Sequence, residues 1–301
     1  MQLDISDNSL PVYEALSSHV RLQILRLISQ KEYNITGLAL ELNLSKAIIT
    51  KHIQKLSEAN LIKIKKCAGK SGVQKIPHLA VDSIQINFPF KIYRSFSKIS
   101  IPIQIGHYTN FDVLPTCGLA TSTGVVEKFD DPLAFVSPER VNASLLWFSE
   151  GFVEYKIPNP LKADQKLEML EISLEIASEF PYSNNVWPSD ITFLLNDISI
   201  GTWTCPGNFS DTRGFYTPSW WEDNLSQYGL LKHLRVSHNN STIDGQLLSS
   251  ANIDKLNIAK NQFINFKIMV SANAQNKGGV TIFGKDFGNH PQDILVNLYY
   301  S

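Results

Sequence analysis

Basic and hydroxyl side chains recur between positions 45 and 70 in a pattern that suits contact with phosphates and base edges. A helix that begins behind Ser45 would bury Ile49 and Ile53 and direct Lys46 and Lys51 away from them. Lysine ammonium groups pair with phosphate oxygens, and small hydroxyl side chains can hydrogen-bond to phosphates or to bases. We expect Ser45, Lys46, Thr50, Lys51 and His52 to face the major groove of DNA and Lys55, Lys65, Lys66 and Lys70 to hold phosphates.

The elements that must position these side chains can be predicted from the apolar spacing. Residues 18–28 place Val20, Ile24 and Leu27 on one side of a helix. A short second helix can begin behind Asn34 as its N-cap, and residues 43–44 supply a tight turn before Ser45. This order predicts a helix-turn-helix.

A two-stranded hairpin is predicted directly after the last of these helices. Residues 62–66 alternate apolar and basic side chains, as a half-buried strand does. A turn at residues 69–72 and a return strand at residues 73–80 would complete a wing. We therefore predict a winged helix-turn-helix DNA-binding domain at residues 1–87.

The distribution of charge also sets the predicted DNA-binding domain apart from the rest of the chain. Residues 1–80 contain eleven Lys and Arg against six Asp and Glu, a net charge of +5. The whole chain has a net charge of −1, so the remainder must carry about −6. A basic segment joined to an acidic one indicates nucleic-acid contact by the first segment. A solvated helix face followed by a lysine-rich hairpin is the plainer interpretation.

The first quarter of the chain resembles the ArsR-type winged-helix transcriptional regulators. The resemblance is carried by residues 15–17, Arg21, residues 24–25, residues 44–45, residues 50–53 and Leu56. It implies a regulator that binds a double-stranded DNA operator as a homodimer. Metal sensors of that family carry a cysteine pair on the helix before the turn, and residues 35–42 contain no cysteine. We therefore expect no metal site here.

A larger second domain, residues 88–301, is predicted to be a β-sandwich, so that the chain is multidomain α+β. Residues 170–176, 264–270 and 294–300 alternate with period two. Further strand candidates are residues 152–157, 191–195, 198–203, 231–236 and 280–283. Many short strands with little helix favour a jelly roll. A helix at residues 167–177 is the alternative, since its glutamates recur at near-helical spacing. Residues 88–102 are the expected junction.

The chain shows no pattern typical of secretion or of a membrane protein. We find no run of about 20 apolar residues and no start that resembles a signal peptide. Cys67, Cys117 and Cys205 are far apart and odd in number, which suits a reducing compartment. We expect a cytoplasmic protein with no membrane contact.

Catalytic signals are weak, and we expect a protein that is not an enzyme and has no cofactor. Residues 279–286 approach the phosphate-loop pattern, but Asp286 stands where Ser or Thr is needed, and residues 280–283 read as a strand. The histidines lack metal-ligand spacing, and the pair Asp130 and Asp131 before Pro132 is typical of a turn.

Four of the five tryptophans lie between positions 182 and 228, interleaved with Asp, Asn and Arg. Aromatic ring faces can pack on the C–H groups of a sugar, while Asp, Asn and Arg hydrogen-bond to its hydroxyls. A saccharide is therefore one ligand class that fits this composition. The candidate ligand-binding residues are Trp187, Asp190, Trp203, Arg213, Trp220 and Trp221. The alternative is that these aromatics fill the core and cap the ends of the sandwich.

The whole chain is similar to bacterial regulators that join an ArsR-like winged helix to a β-sandwich like the carbohydrate-binding jelly rolls. Residues 115–120, 187–190, 201–203 and 228–232 carry this similarity. It implies a transcriptional regulator, with repression as the expected direction, whose sandwich senses a small molecule such as a sugar. Two alternatives stay open: a DNA-anchored interaction protein whose sandwich binds a protein or polymer, and a carbohydrate-active enzyme.

Overall fold

The computed structural model describes residues 1–69, 72–81, 83–87, 96–258 and 262–301. The chain divides into an N-terminal unit, Met1–Ser95, and a β unit, Phe96–Ser301. The sequence-based boundary between residues 87 and 88 stays a prediction, and residues 88–95 of the expected junction lie outside the described residues.

The N-terminal unit contains the predicted helix-turn-helix. Its helices are α1 (Leu10–Leu16), α2 (His19–Gln30), α3 (Ile35–Glu41) and α4 (Lys46–Glu58). The Asn34 side chain accepts the N–H of Gly37 at 2.8 Å, and the Ser45 hydroxyl accepts the N–H of Ile48 at 3.3 Å, so both predicted N-caps are present. Asn43, at φ 52°, makes the turn between α3 and α4, because Asn tolerates the left-handed conformation better than most residues.

The helices enclose a small apolar core. Ile24 of α2, Leu38 of α3 and Ile49 and Leu56 of α4 are fully buried. Truncation of one such side chain to Ala costs about 2–5 kcal/mol through lost transfer free energy and the cavity left behind. The packing of three helices on these few side chains therefore fixes the direction in which α4 presents its opposite face.

In its described residues, the N-terminal unit also has four strands: β1 (Gln2–Asp4), β2 (Ile62–Gly69), β3 (Gly72–Leu79) and β4 (Gln85–Asn87). β2 and β3 pair antiparallel, as predicted for the wing, with Ile62 opposite Leu79 and Lys66 opposite Lys75. β1 and β4 pair in parallel, which the sequence did not predict.

The β unit is mainly β, as predicted. Its strands are β5 (Ser97–Ile103), β6 (Asn110–Ala120), β7 (Leu145–Pro158), β8 (Leu167–Ala177), β9 (Ser189–Leu195), β10 (Ile198–Cys205), β11 (Leu230–Ser237), β12 (Ser241–Ile243), β13 (Gln246–Ser249), β14 (Phe263–Val270), β15 (Val280–Phe283) and β16 (Ile294–Tyr300). One helical turn, α5 (Ile253–Leu256), precedes β14. Every strand predicted for this unit is present, and residues 167–177 form a strand and not a helix.

All twelve strands belong to one hydrogen-bonded sheet. The main path runs β10-β9-β14-β7-β15-β8-β11-β12-β13, while β6 pairs with β7, and β16 pairs with β8 and β5. The two ends of the path meet: the Ser249 hydroxyl donates to the carbonyl of Ile200 at 2.9 Å. Gly201, at φ +132°, permits this approach, since a Cβ there would lie 2.7 Å from Leu248 Cβ. The sheet is therefore nearly closed, and the finer prediction of a jelly roll stays a prediction.

β8 is buried on both of its faces. Leu170, Ile172, Leu174 and Ile176 face the main core, and the alternate positions Glu171, Ser173 and Glu175 are buried as well. Period two, which predicted this strand, is more often found in strands with one solvated face. Other elements cover that second face, so its glutamates need internal partners.

Among the described residues, no helix is long and apolar enough to cross a membrane.

Candidate nucleic-acid interface and cavities of the β unit

Helix α4 separates its buried and exposed residues by face. Ile49, Ile53 and Leu56 pack inward, whereas Lys46, Thr50, Lys51 and Lys55 are exposed. The Ser45 cap begins the helix at Lys46, and the spacing of four and then three between the buried residues keeps the lysines off the packed side. The structure thus leaves Lys46, Thr50, Lys51 and Lys55 in solvent, and their contact with DNA stays a prediction.

Two of these lysines are available for an anionic ligand. In the part of the chain that the structure describes, no carboxylate oxygen lies within 4.0 Å of the ammonium of Lys46 or Lys51. The Thr50 hydroxyl donates to the carbonyl of Lys46 at 2.7 Å, which leaves its oxygen able to accept a further hydrogen bond.

Lys55 has a carboxylate nearby. Its Nζ lies 3.8 Å from Oε2 of Glu14, and both side chains are 57% exposed. An ion pair in water contributes less than about 1 kcal/mol. A phosphate could therefore replace Glu14 at small cost.

His52 is less suited to phosphate contact than the lysines. It is half-buried, and burial together with the positive charge of Arg21 lowers its pKa below the ordinary value. The imidazole is therefore mainly neutral at pH 7. Arg21 itself donates to the carbonyls of Ala15 and Glu14, each at 2.6 Å, and so holds the end of α1.

The wing adds further exposed lysines. Lys65, which the sequence singled out, is exposed, and so are Lys63 on the same face of β2 and Lys75 on β3. The alternation of β2 places Lys63 and Lys65 together, and this pattern could have identified Lys63. The side chain of Lys66 and the whole of Lys70 lie outside the described residues.

The six aromatic and polar residues predicted to bind a ligand in the β unit do not form one cluster. Asp190 accepts hydrogen bonds from the Thr204 hydroxyl at 2.7 Å and from the backbone N–H of Asn276 at 2.9 Å. Burial raises its pKa, but these hydrogen bonds outweigh that effect and lower it. Trp203 is half-buried beneath the Lys232 ammonium, 4.9 Å from the ring centroid. Both residues thus have internal partners.

The other four residues lie on two neighbouring loops. Trp187 is 37% exposed and packs its ring on Phe180, with 4.8 Å between centroids. Arg213 donates to Asp223 and to the carbonyls of Pro218 and Trp221, so it holds its own loop together. Trp220 and Trp221 contact each other edge to face at 5.5 Å.

A polar cavity of about 340 Å³ lies beside Trp220. Its lining consists of Gln104, Thr121, Ser122, Thr123, Glu139, Val141, Asn142, Ala143, Ser144, Lys285, Asp286 and Asp293. Asp286 accepts the Ser144 hydroxyl at 2.8 Å, and the Trp220 indole N–H donates to the carbonyl of Ser122 at 2.8 Å. Burial raises the pKa of Asp293. The cavity offers both donors and acceptors, and sequence reasoning missed it because its members are far apart in the chain.

A second cavity of about 80 Å³, the aromatic cavity, has several aromatic walls, and Trp221 is in its lining. It is lined by Thr116, Phe129, Asp130, Leu145, Trp147, Glu179, Phe180, Pro181, Tyr182, Trp221, Leu225, Ser226 and Thr281. Trp221 is fixed by its indole N–H, which donates to the carbonyl of Ser226 at 3.0 Å. Glu179 is buried in this cavity, and burial raises its pKa to about 8.

Comparison with known proteins assigns the N-terminal unit. Residues 18–63 match the family model for bacterial regulatory proteins of the arsR family. Over 49 residues, 16% of the chain, the sequence is 41% identical to an HTH-type transcriptional regulator of Methanocaldococcus jannaschii. The chain spans about half, 52%, of the length of that relative.

Solved structures add little to this assignment. A homodimeric winged helix-turn-helix DNA-binding domain from Mycobacterium bovis is 24% identical, with 25% of this chain and 67% of that chain covered and a TM-score of 0.23. The Agl-KA catalytic domain is 6% identical, with 50% of this chain and 21% of that chain covered and a TM-score of 0.24. At these TM-scores neither likeness supports an argument about fold or function. The family match therefore carries the assignment of an arsR-family helix-turn-helix domain to the N-terminal unit.

Proposed function

We propose that the protein is a cytoplasmic DNA-binding transcriptional regulator, acting as a repressor, whose β unit binds a small-molecule effector. The observation that carries this proposal is that Lys46, Thr50 and Lys51 of α4 are exposed while Ile49 and Ile53 of the same helix are buried. These residues fall inside the range that matches the arsR family.

In the proposed complex, α4 enters the major groove. Ser45, Lys46, Thr50 and Lys51 approach base edges, and His52, mainly neutral at pH 7, contributes a hydrogen bond rather than a charge. Lys55, Lys65, Lys66 and Lys70 hold phosphates on either side. The recessed position of His52 makes it the weakest member of this set.

A homodimer follows from the small size of one winged helix. A single module of this kind buries limited surface on DNA, and two copies related by two-fold symmetry would read half-sites about 34–36 Å apart. The second copy raises affinity and specificity together.

Gel-shift titration with the promoter DNA of the regulated gene tests the DNA-binding role. Lys51→Ala should weaken operator binding by about tenfold or more, since the variant loses a direct contact worth about 1–3 kcal/mol. Lys162→Ala, an exposed lysine of the β unit, is the matched control and should leave affinity unchanged. Equal affinities for wild type and Lys51→Ala would remove Lys51 from the interface.

We propose a saccharide as the effector and the polar cavity as its site. Its volume of about 340 Å³ falls within the range of small-molecule pockets, about 300–1,000 Å³. Asp286, Asn142 and the hydroxyls of residues 121–123 can satisfy sugar hydroxyls. Trp220, 36% exposed, lies next to this lining, since its indole N–H donates to the carbonyl of Ser122. Of the six predicted ligand residues, only Trp220 takes part in this version of the proposal.

Thermal unfolding with a panel of mono- and oligosaccharides tests the effector. A ligand present at 100 times its Kd stabilises the folded protein by about 2.7 kcal/mol, so its melting temperature must rise. The rise should disappear in Asp286→Asn and persist in Asp254→Asn, which alters an exposed carboxylate outside the polar cavity.

An exposed apolar pair favours a second candidate function, recognition of a protein partner by the β unit. Leu133 and Val136 are 72% and 64% exposed on the 3₁₀ helix Pro132–Val136. Residues three apart in such a helix share one side. This candidate predicts that no saccharide shifts the melting temperature, and that Leu133→Ser with Val136→Ser abolishes regulation in cells while operator binding stays intact.

A further inference from the structure

The walls of the aromatic cavity are three rings in mutual contact. Trp147 and Trp221 meet edge to face at 5.8 Å, Phe129 lies 5.7 Å from Trp147, and Phe129 stacks on Trp221 at 6.2 Å. Phe129 is 52% exposed and Tyr182 is 61% exposed, so two large rings stand in solvent at the rim. The electron-rich faces of such rings attract cations.

The polar end of the cavity is acidic. Asp130 and Glu179 both contribute to the lining, which contains no Lys, Arg or His. Asp130 accepts the backbone N–H of Cys117 at 3.0 Å, and its negative charge helps to raise the pKa of Glu179. The Cys117 thiol, whose pKa burial raises to about 12, adds no charge. The cavity is therefore a negative site without a counter-charge of its own.

Burial raises the pKa of Glu179 to about 8, although its hydrogen bonds to Thr281, Thr116 and the Phe180 backbone lower it, and the contacts of Thr281 fit a protonated carboxyl. The Thr281 hydroxyl lies 3.0 Å from the carbonyl oxygen of Ser178 and 3.0 Å from Oε2 of Glu179. A hydroxyl has one proton, and a carbonyl oxygen can only accept. Both contacts are satisfied together when Thr281 donates to Ser178 and Glu179 donates to Thr281. Burial, which raises the pKa of Glu179 to about 8, agrees with this assignment.

These contacts leave Glu179 with little hydrogen-bonding capacity for a neutral ligand. The proton of Glu179 is directed at Thr281, and its Oε1 already accepts the Thr116 hydroxyl at 3.1 Å. What the cavity still offers is negative potential and ring faces. A cation would use both, and its charge would let Glu179 ionise.

The size of the cavity limits the occupant to a small group. Its volume of about 80 Å³ is far below the range of about 300–1,000 Å³ that is usual for pockets that hold a whole ligand. The cavity can therefore take one small group, such as a methylated ammonium, and not a sugar ring with its hydroxyls. The rest of the bound ligand would extend out of the cavity between Phe129 and Tyr182.

We propose that the aromatic cavity binds the head group of a small organic ammonium compound, held by the ring faces of Phe129, Trp147 and Trp221 and by the carboxylates of Asp130 and Glu179. This site is separate from the saccharide site of the polar cavity. It does not depend on DNA binding, so its test and the gel-shift test can fail independently.

Calorimetric titration of the full chain with choline and with 3,3-dimethylbutan-1-ol tests the charge requirement, because the two compounds have nearly the same shape. Choline should bind at least tenfold more tightly than the neutral alcohol. At pH 7 its binding should release about one proton from Glu179, visible as a difference in heat between phosphate buffer and MOPS, a buffer that carries no primary or quaternary ammonium. Ethanolamine in a parallel titration distinguishes a methylated from a primary ammonium. The proposal is overturned if the alcohol binds as well as choline, or if neither amine binds at millimolar concentration.

Two variants distinguish a loss of choline binding from a loss of folding. Glu179→Gln keeps the shape of the side chain and should remove both tight choline binding and proton release. If Glu179→Gln fails to fold, Phe129→Leu removes only a ring that is already half in solvent, and it should weaken choline binding at least threefold. Asp112→Asn, an exposed carboxylate outside the lining, is the control and should bind choline as wild type does. Unchanged choline affinity in Phe129→Leu and in any folded Glu179→Gln would also overturn the proposal.

Discussion

Arg235 of β11 lies directly opposite Glu171 of β8, and its Nε donates to Oε2 of Glu171 at 2.6 Å. The Glu171 side chain is only 6% exposed, and its Oε1 accepts the Asn297 amide at 3.1 Å. The pair therefore connects three adjacent strands, β11, β8 and β16, on the covered face of β8.

Arg235→Ala should lower the free energy of unfolding of the chain by about 3–5 kcal/mol, because it leaves the charge of Glu171 buried without its cation. Urea denaturation followed by fluorescence measures the change. The double variant Arg235→Met with Glu171→Met should recover most of the loss, since no charge is then buried. A double variant as unstable as Arg235→Ala would show that packing, and not charge, dominates at this position.

Ser45 has two roles, as the N-cap of α4 and as a proposed DNA contact, and two substitutions distinguish them. Ser45→Ala should destabilise α4 by about 1 kcal/mol through loss of the acceptor for the N–H of Ile48. Ser45→Asp keeps an acceptor, so stability should be close to that of wild type, but its negative charge should weaken operator binding. Urea denaturation and gel-shift titration give the two readings. Operator affinity in Ser45→Asp equal to that of wild type would place Ser45 away from the phosphates.

The wing should contribute mainly to the salt dependence of DNA binding. Lys65→Ala should reduce the slope of log affinity against log salt by about 1, and Lys63→Ala should do the same if both lysines contact phosphates. Operator affinity measured at several salt concentrations gives the slopes. Lys98→Ala, an exposed lysine of β5, serves as control. A slope that stays constant in Lys63→Ala and Lys65→Ala would mean that the wing does not touch the DNA backbone.

The buried glutamates should make the chain less stable as pH rises. Burial raises the pKa of Glu175 to about 7 and that of Glu179 to about 8, above the ordinary value of 4.5. The folded state therefore holds protons that the unfolded state loses, and stability falls between pH 4.5 and about 8. At about 1.4 kcal/mol per pKa unit, Glu179 alone would account for up to about 5 kcal/mol.

Glu179→Gln is the variant that isolates this effect. Its free energy of unfolding should fall less steeply than that of wild type from pH 5 to pH 8, as measured by urea denaturation at several pH values. Glu168→Gln is a suitable control, because the pKa of that carboxylate is lowered and not raised: a hydrogen bond from Ser301 outweighs the effect of burial. Parallel pH profiles for wild type and Glu179→Gln would contradict the assignment of a protonated Glu179.

The N-terminal unit was predictable because its signals are local. The caps Asn34 and Ser45 and the spacing of Ile49, Ile53 and Leu56 all act within one or two helical turns. The pairing of β1 with β4 was not predictable, since it joins residues about 80 positions apart through a pattern only three residues long.

The strands of the β unit could be predicted one by one from the sequence. The residues that line its cavities could not. Period two identified β8 correctly, but the burial of Glu171 and Glu175 depends on which elements cover that strand. Trp220 and Trp221 are adjacent in sequence, yet only Trp221 lines the aromatic cavity, because neighbouring side chains of a loop can point in different directions. The lining of the aromatic cavity joins Thr116, Glu179 and Thr281, which no spacing rule relates.

The position of β16 in the sheet has a consequence for folding during synthesis. β5 pairs with β16, which is translated almost 200 residues later. β5 therefore leaves the ribosome long before its partner exists, and the sheet can be completed only when the last strand has emerged. The helix-turn-helix, built from local contacts, can fold as soon as residues 1–80 have left the ribosome. A nascent chain stalled before β16 would thus expose a folded DNA-binding domain next to an unfinished sheet with a free strand edge.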